Sequence, residues 1–127
     1  MSPQLVLVRG LPGSGKSTFA QALAATDFKH FEADMYHMRN GVYEFDASRV
    51  RDAHKWCQES AMAALLEGKS VVVSNTFTQK FEMQPYRDFA AEHDITVHIV
   101  EMKRNFGSVH NVPFDVLERM AARWESA

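Results

Sequence analysis

Two rhythms of apolar and polar residues alternate along this chain. Unbroken apolar runs, Leu5-Val6-Leu7-Val8 and Ser70-Val71-Val72-Val73, read as short strands buried on both faces. Between them lie longer stretches whose apolar residues recur at helical spacing. The pattern predicts a strand over Leu5–Arg9, a helix over about Ser17–Ala25 and a short strand at about His30–Ala33 ending at Asp34. An aromatic loop, Met35–Phe45, follows and carries the turn signal Asn40-Gly41. Asp46 or Ser48 then opens a helix over about Ala47–Glu67, with Val50, Ala53, Cys57, Ala61, Ala64 and Leu65 on one stripe and Gly68 just past its end. His54 falls on that stripe and reads as a core histidine; Trp56 lies off it, packed under a loop or partly exposed. The second strong strand, from Ser70, ends in Ser74-Asn75-Thr76. Thr78 is placed to cap a short helical segment, and Pro85 to begin a helix reaching His93. A fourth strand over about Thr96–Glu101, a polar loop and a last helix started by Pro113 complete the reading. That helix has Val116, Leu117, Met120, Ala121 and Trp124 on one face.

Strands separated by helices imply right-handed crossovers and a parallel sheet covered on both faces. The expected architecture is α/β: one domain over residues 1–127, with about four parallel strands flanked by helices. Ligands of such sheets bind beyond the C-terminal strand ends. Four segments converge there: the turn after the first strand, Asp34, Ser74-Asn75-Thr76, and the loop after Glu101.

The first of these turns carries the most specific chemistry. Gly10-Leu11-Pro12-Gly13-Ser14-Gly15-Lys16-Ser17 fits G-x-x-x-x-G-K-[ST], the phosphate-cradling loop, and lies between a strand and a helix as that loop must. Its backbone N–H groups and the helix dipole converge on one anion. Gly10, Gly13 and Gly15 let the backbone approach the ligand, and Pro12 and Ser14 complete the turn. Lys16 is assigned to the β/γ-phosphates, Ser17 to Mg²⁺ and Thr18 to the α-phosphate. The implied cofactors are ATP and Mg²⁺.

Phosphoryl transfer asks a protein for phosphate clamps, a metal and a group that orients or deprotonates the nucleophile. Asp34, just past a strand on the ligand edge, suits the last task; a loop Asx-turn is the other role open to it. Glu32 is a weaker rival, which alternation along an extended strand puts on the same side as Asp34. Ser74 and Asn75 stand where many proteins with this loop carry an acidic residue. Neither is charged; they could hold a metal-bound water or the substrate, with Asn75 the substrate candidate, or cap the segment that follows. Arg39, Lys103 and Arg104 lie in loops from which they could face phosphates.

Composition narrows the class. A formal net charge of −2 over 127 residues supplies no global basic field for nucleic acid, though it leaves room for a local basic cleft. Cys57 is the single cysteine, which excludes an intrachain disulfide and fits a reducing compartment. No apolar run approaches the ~18–20 residues that span a bilayer. The segment Met1-Ser2-Pro3-Gln4 does not open a secretory signal. A cytoplasmic protein with no membrane contact is expected. The six histidines are too scattered for a zinc pattern.

Several stretches together resemble one family. They are Arg9 to Thr18, Ala33-Asp34-Met35-Tyr36, Gly41 to Asp46 with Ala53-His54, Ser74-Asn75-Thr76 with Glu82 to Tyr86, and His110 to Pro113 continuing through Val116–Met120 to Arg123-Trp124-Glu125. In this order they resemble the small P-loop kinases related to the kinase half of phage polynucleotide kinase. The likeness is greatest to the compact branch with the Nedd4-binding-protein-2-like proteins and phage-encoded kinases. The resemblance implies ATP-dependent phosphorylation of a hydroxyl, in the phage enzyme the 5′-hydroxyl of nucleic acid. Asp34 matches the aspartate that activates that hydroxyl. Residues 103–112 match a lid that brings basic residues to the phosphates and covers the adenine. Arg104 is then a catalytic candidate and Asn105 and Val112 nucleotide contacts, while Arg39 and Asn75 face the acceptor.

Three departures stand out. His37 occupies the place of an arginine three residues after the aspartate, with Arg39 two residues further on. The lid is short, and Ser74 replaces an acidic residue frequent in the Nedd4-like members. The expected acceptor is DNA or RNA, at a 5′ end or a hydroxylated modified base. A nucleotide or small-molecule kinase, or a nucleotide-binding module without a dedicated acceptor, are the other readings.

Overall fold

The computed structural model of the chain describes residues 3–39, 42–43, 46–103 and 114–125. Strand β1 (Gln4–Gly10) runs into helix α1 (Lys16–Ala24), followed by β2 (Phe28–Phe31) and a 3₁₀ turn over Ala33–His37. A two-stranded antiparallel pair comes next, β3 (Met38–Arg39) with β4 (Val42–Tyr43). A 3₁₀ turn at Ala47–Arg49 leads into helix α2 (Val50–Leu66). Strand β5 (Ser70–Asn75), a 3₁₀ turn at Lys80–Glu82, α3 (Gln84–Glu92), β6 (Thr96–Met102) and α4 (Phe114–Ala122) follow.

The main sheet has the order β2-β5-β1-β6, and every pairing in it is parallel. The expected four-stranded α/β sheet flanked by helices is the one observed. β1 and β5, the two unbroken apolar runs, are its central strands, which explains why neither shows polar alternation.

Strand parity divides the core in two. Leu5 and Leu7 of β1, with Val71 and Val73 of β5, face a cluster with Ala53, Cys57, Ala61 and Leu65 of α2 and Tyr86 of α3. Val6 and Val8, with Val72, face Ala20, Phe19 and Leu23 of α1. The same parity carries on to the strand ends. It sends Ser74 to the α1 side and Asn75 to the α2 side.

Helix α2 begins where the Asp46 carboxylate accepts from the Ser48 amide (2.9 Å) and hydroxyl (2.6 Å), so Asp46 is the cap. It ends at Gly68, whose φ of 84° places it in the left-handed region, with the Lys69 amide bonded back to the Ala64 carbonyl. Four expectations shift. The second strand lies two residues earlier than the reading, and Asp34 sits in a 3₁₀ turn, so strand alternation does not relate it to Glu32. Val50 is exposed at the mouth of the α2 stripe, and His54 is half-buried. Gln79, not Thr78, begins the 80–82 turn; its amide donates to Glu82 Oε1, and the Thr78 hydroxyl donates to the same oxygen. Trp124 lies beyond the end of α4 rather than on its face.

The C-terminal segment returns to the sheet through Arg9, which is fully buried at the end of β1. The Arg9 guanidinium donates to the carbonyls of Phe77 (2.6 Å), Thr78 (3.3 Å) and Glu125. Glu101 of β6 accepts from the Trp124 indole N–H at 2.7 Å and lies 3.8 Å from Arg9 Nη1. One buried cation thus fastens the ends of β1 and β6, the segment after β5 and the residues after α4.

Candidate phosphate site

The turn after β1 has the backbone its sequence predicts. Gly13 (φ 83°) and Gly15 (φ 88°) take left-handed conformations that residues with a Cβ rarely adopt. Gly10 is required for a different reason. A Cβ there would collide with the Ser14 hydroxyl and stand 3.0 Å from the Met102 carbonyl. Gly15 is the residue before α1, so no side chain caps the helix, and its first turn holds no acidic residue. The leading amides of α1 are therefore left to an external acceptor at the positive end of the dipole.

Lys16, at the first position of α1, is half-buried beside two carboxylates. Burial holds its ammonium below the usual lysine range, while the charges of Glu32 and Asp34 pull in the other direction. The phosphate loop and the end of β2 therefore form one electrostatic unit.

Glu32 is the hub of that unit. The β2–β5 register pairs Phe31 with Val73, and one further step sets Glu32 beside Ser74. The Ser74 hydroxyl donates to Glu32 Oε1 at 2.9 Å, His30 Nε2 donates to the same oxygen at 2.9 Å, and the Ser17 side chain beside them also favours the charged carboxylate. Burial works to raise the Glu32 carboxyl, but these hydrogen bonds and the His30 electrostatics outweigh it. The group sits below the usual carboxylate range. Sequence reasoning ranked Glu32 second and gave Ser74 no partner. Parity was the available signal: His30, Val72 and Ser74 all belong to the α1 face.

Asp34 is carried by the 3₁₀ turn, whose start is fixed by Asn75. The Asn75 carbonyl oxygen accepts from the Ala33 amide at 2.9 Å, and its amide nitrogen lies 3.7 Å from Cys57 Sγ. Both ends of the Asn75 side chain thus hold the fold that presents Asp34. The Met35 amide closes the turn on the Glu32 carbonyl at 3.0 Å. Beneath it, Trp56 is packed under the turn, 6.2 Å from the Tyr36 ring, and the Arg49 guanidinium lies over the Tyr36 ring. His37 is buried with its ring edge-on to Tyr36 at 6.0 Å. Burial pushes the Cys57 thiol up, so it is no nucleophile at neutral pH.

Gly10, Pro12, Gly13, Ser14, Gly15, Lys16, Ser17 and Thr18 thus share one turn, with Glu32, Asp34, Ser74 and Asn75 on the adjacent strand ends. The backbone of Arg39 lies in β3, but its side chain is not among the described groups. Lys103 is exposed just past β6, and Arg104, Asn105, His110, Val112 and the rest of the expected lid after it lie outside the described residues. Among the described residues, no group of three His, Cys, Asp or Glu side chains could hold a metal by itself, and no helix is long and apolar enough to cross a membrane.

Comparison with known proteins agrees with this geometry. The chain is 38% identical over 96 residues to human NEDD4-binding protein 2; that alignment takes in 73% of this chain and 5% of the relative. The chain therefore spans only a small part of that relative. Among solved structures, Kti12 of Chaetomium thermophilum in complex with ADP-AlF3 is similar with a TM-score of 0.70 at 15% identity, covering 96% of this chain and 80% of that one. A chain of the Pnkp1/Rnl/Hen1 complex gives 0.65 at 22% identity, covering 92% and 38%. A gluconokinase from Sinorhizobium meliloti gives 0.64 at 20%, covering 98% and 77%. These likenesses establish a P-loop kinase-like fold. The AAA domain family model AAA_33 matches residues 5–106, most of the chain, so the protein belongs to that family.

Proposed function

We propose that this chain is an ATP-dependent kinase that passes the γ-phosphoryl group to a hydroxyl, most favourably one on nucleic acid. The observation that carries the reading is the placement of Lys16 between the phosphate loop and the carboxylates of Glu32 and Asp34. A triphosphate seated on the α1 amides would lie against Lys16, with its terminal group toward the turn that presents Asp34. The acceptor oxygen attacks the γ-phosphorus, the bond from that phosphorus to the β–γ bridging oxygen breaks, and ADP leaves. Asp34 accepts the proton released by the acceptor hydroxyl. Ser17 stands among oxygen donors, the chemistry Mg²⁺ prefers, and would hold the ion against the β- and γ-phosphates. Bound Mg²⁺ would neutralise charge on the phosphate oxygens.

The resemblance to phage polynucleotide kinase and the likeness to a Pnkp1-containing complex support a 5′-hydroxyl or a hydroxylated base as acceptor. In that setting Arg39 and Asn75 border the acceptor, and Arg104, Asn105 and Val112 cover the nucleotide. A small-molecule acceptor is the second reading. It is favoured by the gluconokinase likeness, which covers 98% of this chain, and by the formal net charge of −2.

One transfer screen with labelled ATP separates the two. It takes DNA and RNA with 5′-hydroxyl ends, hydroxymethylated DNA, nucleoside monophosphates, gluconate and simple alcohols. Label on an oligonucleotide, with acceptor KM rising steeply with salt, supports the nucleic-acid reading. Label on a small alcohol or nucleotide supports the other. Hydrolysis without transfer to any acceptor contradicts both.

A further inference from the structure

The end of β5 lacks the carboxylate that a phosphate-loop protein generally places near its metal; Ser74 and Asn75 are both uncharged. Strand parity removes Asn75 from consideration, because its side chain is committed to Ala33 and Cys57 on the α2 face. Ser74 points to the α1 face but has no charge to offer. It donates its hydroxyl proton to Glu32, which enters from the neighbouring strand β2 at the matching register step.

We propose that Glu32 is the metal-site carboxylate of this protein, relocated from the end of β5 to the end of β2 and held there by Ser74. The inference rests on the kinase reading above and names the residue that completes its Mg²⁺ site. Three observations carry it. The Ser17 side chain, which the loop motif assigns to the metal, lies beside the Glu32 carboxylate and favours its charged form. A hydroxyl has one proton to donate and lone pairs to spare. Ser17 can thus turn its proton toward Glu32 while its oxygen faces a cation. Glu32 is also aimed rather than free. Ser74 and His30 both donate to Oε1, and its side chain is only 15% exposed. Finally, the carboxylate lies close enough to Lys16 to act on its charge, which puts it beside the position of the phosphates.

The acid and the hydroxyl stand at the ends of two paired strands and are joined by one hydrogen bond. Glu32 then acts on the metal directly or through a bound water, and Ser74 and His30 are positioning residues that fix its orientation. Asp34, two residues further on in the 3₁₀ turn, keeps the acceptor role given to it above.

The test reads metal-dependent nucleotide binding rather than turnover. Affinity for ADP is measured calorimetrically with Mg²⁺ and with chelator, and the EPR spectrum of Mn²⁺ with ADP reports the metal's surroundings. Glu32→Gln keeps the size and the Ser74 contact. It is expected to bind metal-free ADP at least as well as the wild type, since a negative charge near the phosphates has gone. It should lose about 10-fold or more of the Mg²⁺-dependent gain. Glu32→Gln combined with Ser74→Asp returns a carboxylate to β5 and is expected to regain most of that loss. Ser74→Ala should give a smaller loss that Ser74→Thr repairs.

A Glu32→Gln protein with the full wild-type Mg²⁺ gain and an unchanged Mn²⁺ spectrum overturns the inference while leaving the kinase reading in place. A wild-type protein that binds no ADP under either condition overturns the kinase reading and the inference together. If Glu32→Gln does not fold, Ser74→Ala decides: it should lose part of the Mg²⁺-dependent gain and Ser74→Thr should restore it, and an unchanged gain in Ser74→Ala counts against the proposal.

Discussion

The Arg9 guanidinium lies over the Trp124 indole, its central carbon 4.1 Å from the ring centroid. This stacking joins the residue just before the phosphate loop to the segment just after the last helix. Arg9 is fully buried, and the carbonyls of Phe77 and Thr78 accept from it. Stripping one partner from such a buried charged network costs about 3–5 kcal/mol. Arg9→Ala should therefore lower the stability measured by urea unfolding by that order. Trp124→Phe keeps a ring over Arg9 but deletes the donor to Glu101, and about 1.5–3 kcal/mol should be lost. If Arg9→Ala unfolds within 1 kcal/mol of the wild type (about a fivefold change in the folding constant), the hub does not hold the C-terminal segment.

Lys16 has opposite effects on folding and on binding. Without phosphates its ammonium is half-buried at an energetic cost, as its lowered proton affinity indicates. Lys16→Met should leave the thermal midpoint unchanged or raise it. The same change removes charge-assisted hydrogen bonds to phosphate, each about 1.5–3 kcal/mol. ATP affinity should fall by roughly 10- to 150-fold. Calorimetry and thermal unfolding on the same sample check both halves, and intact affinity would detach Lys16 from the phosphates.

Gly10 has no room for a methyl group. Gly10→Ala forces the Ser14 side chain or the β6 carbonyl of Met102 to shift. Overpacking of this kind costs about 1–3 kcal/mol. The loop must deform with it, so nucleotide affinity should fall even where the fold survives. Equal affinity in Gly10→Ala would show that the loop adjusts without effect on the ligand.

Acid sensitivity follows from Glu32. Its carboxyl is held below the ordinary value of 4.5, so the folded state binds fewer protons at this group than the unfolded state does. The stabilisation is present in full above pH 4.5 and is lost as pH falls through the lower folded value. Unfolding midpoints of the wild type should drop on acidification below pH 4.5, and those of Glu32→Gln should drop less. Parallel curves for the two proteins would show that the Glu32 hydrogen bonds add nothing to stability.

The sequence shows some parts of the site plainly, for physical reasons. Apolar runs such as Leu5–Val8 and Val71–Val73 have one stable destination, the middle of a parallel sheet, so the sheet type and the ligand edge could be read directly, though not the strand order. The loop from Gly10 to Ser17 is fixed by backbone geometry, which glycine spacing reports. Two features were out of reach of that reasoning. Arg9 sits in a strand that looks purely apolar, and its partners Phe77, Trp124 and Glu125 are distant in sequence; only the tertiary fold supplies carbonyls to a buried guanidinium. The course of the chain after Phe31 turns on one contact, Asn75 to the Ala33 amide, which converts an extended reading into a 3₁₀ turn. The Glu32–Ser74 pair lies between these cases. Its parity was legible, but its register required knowing that β2 and β5 are neighbours.

The most direct test of the account is γ-phosphoryl transfer by Asp34→Asn beside the wild type, on the best acceptor from the screen, with ATP affinity measured in parallel. The account predicts that transfer falls by about 10²- to 10⁴-fold, the usual contribution of a general base, while ATP binding is retained. Undiminished transfer by Asp34→Asn would contradict it, because the hydroxyl would then be activated without the carboxylate that the Ala33–His37 turn presents.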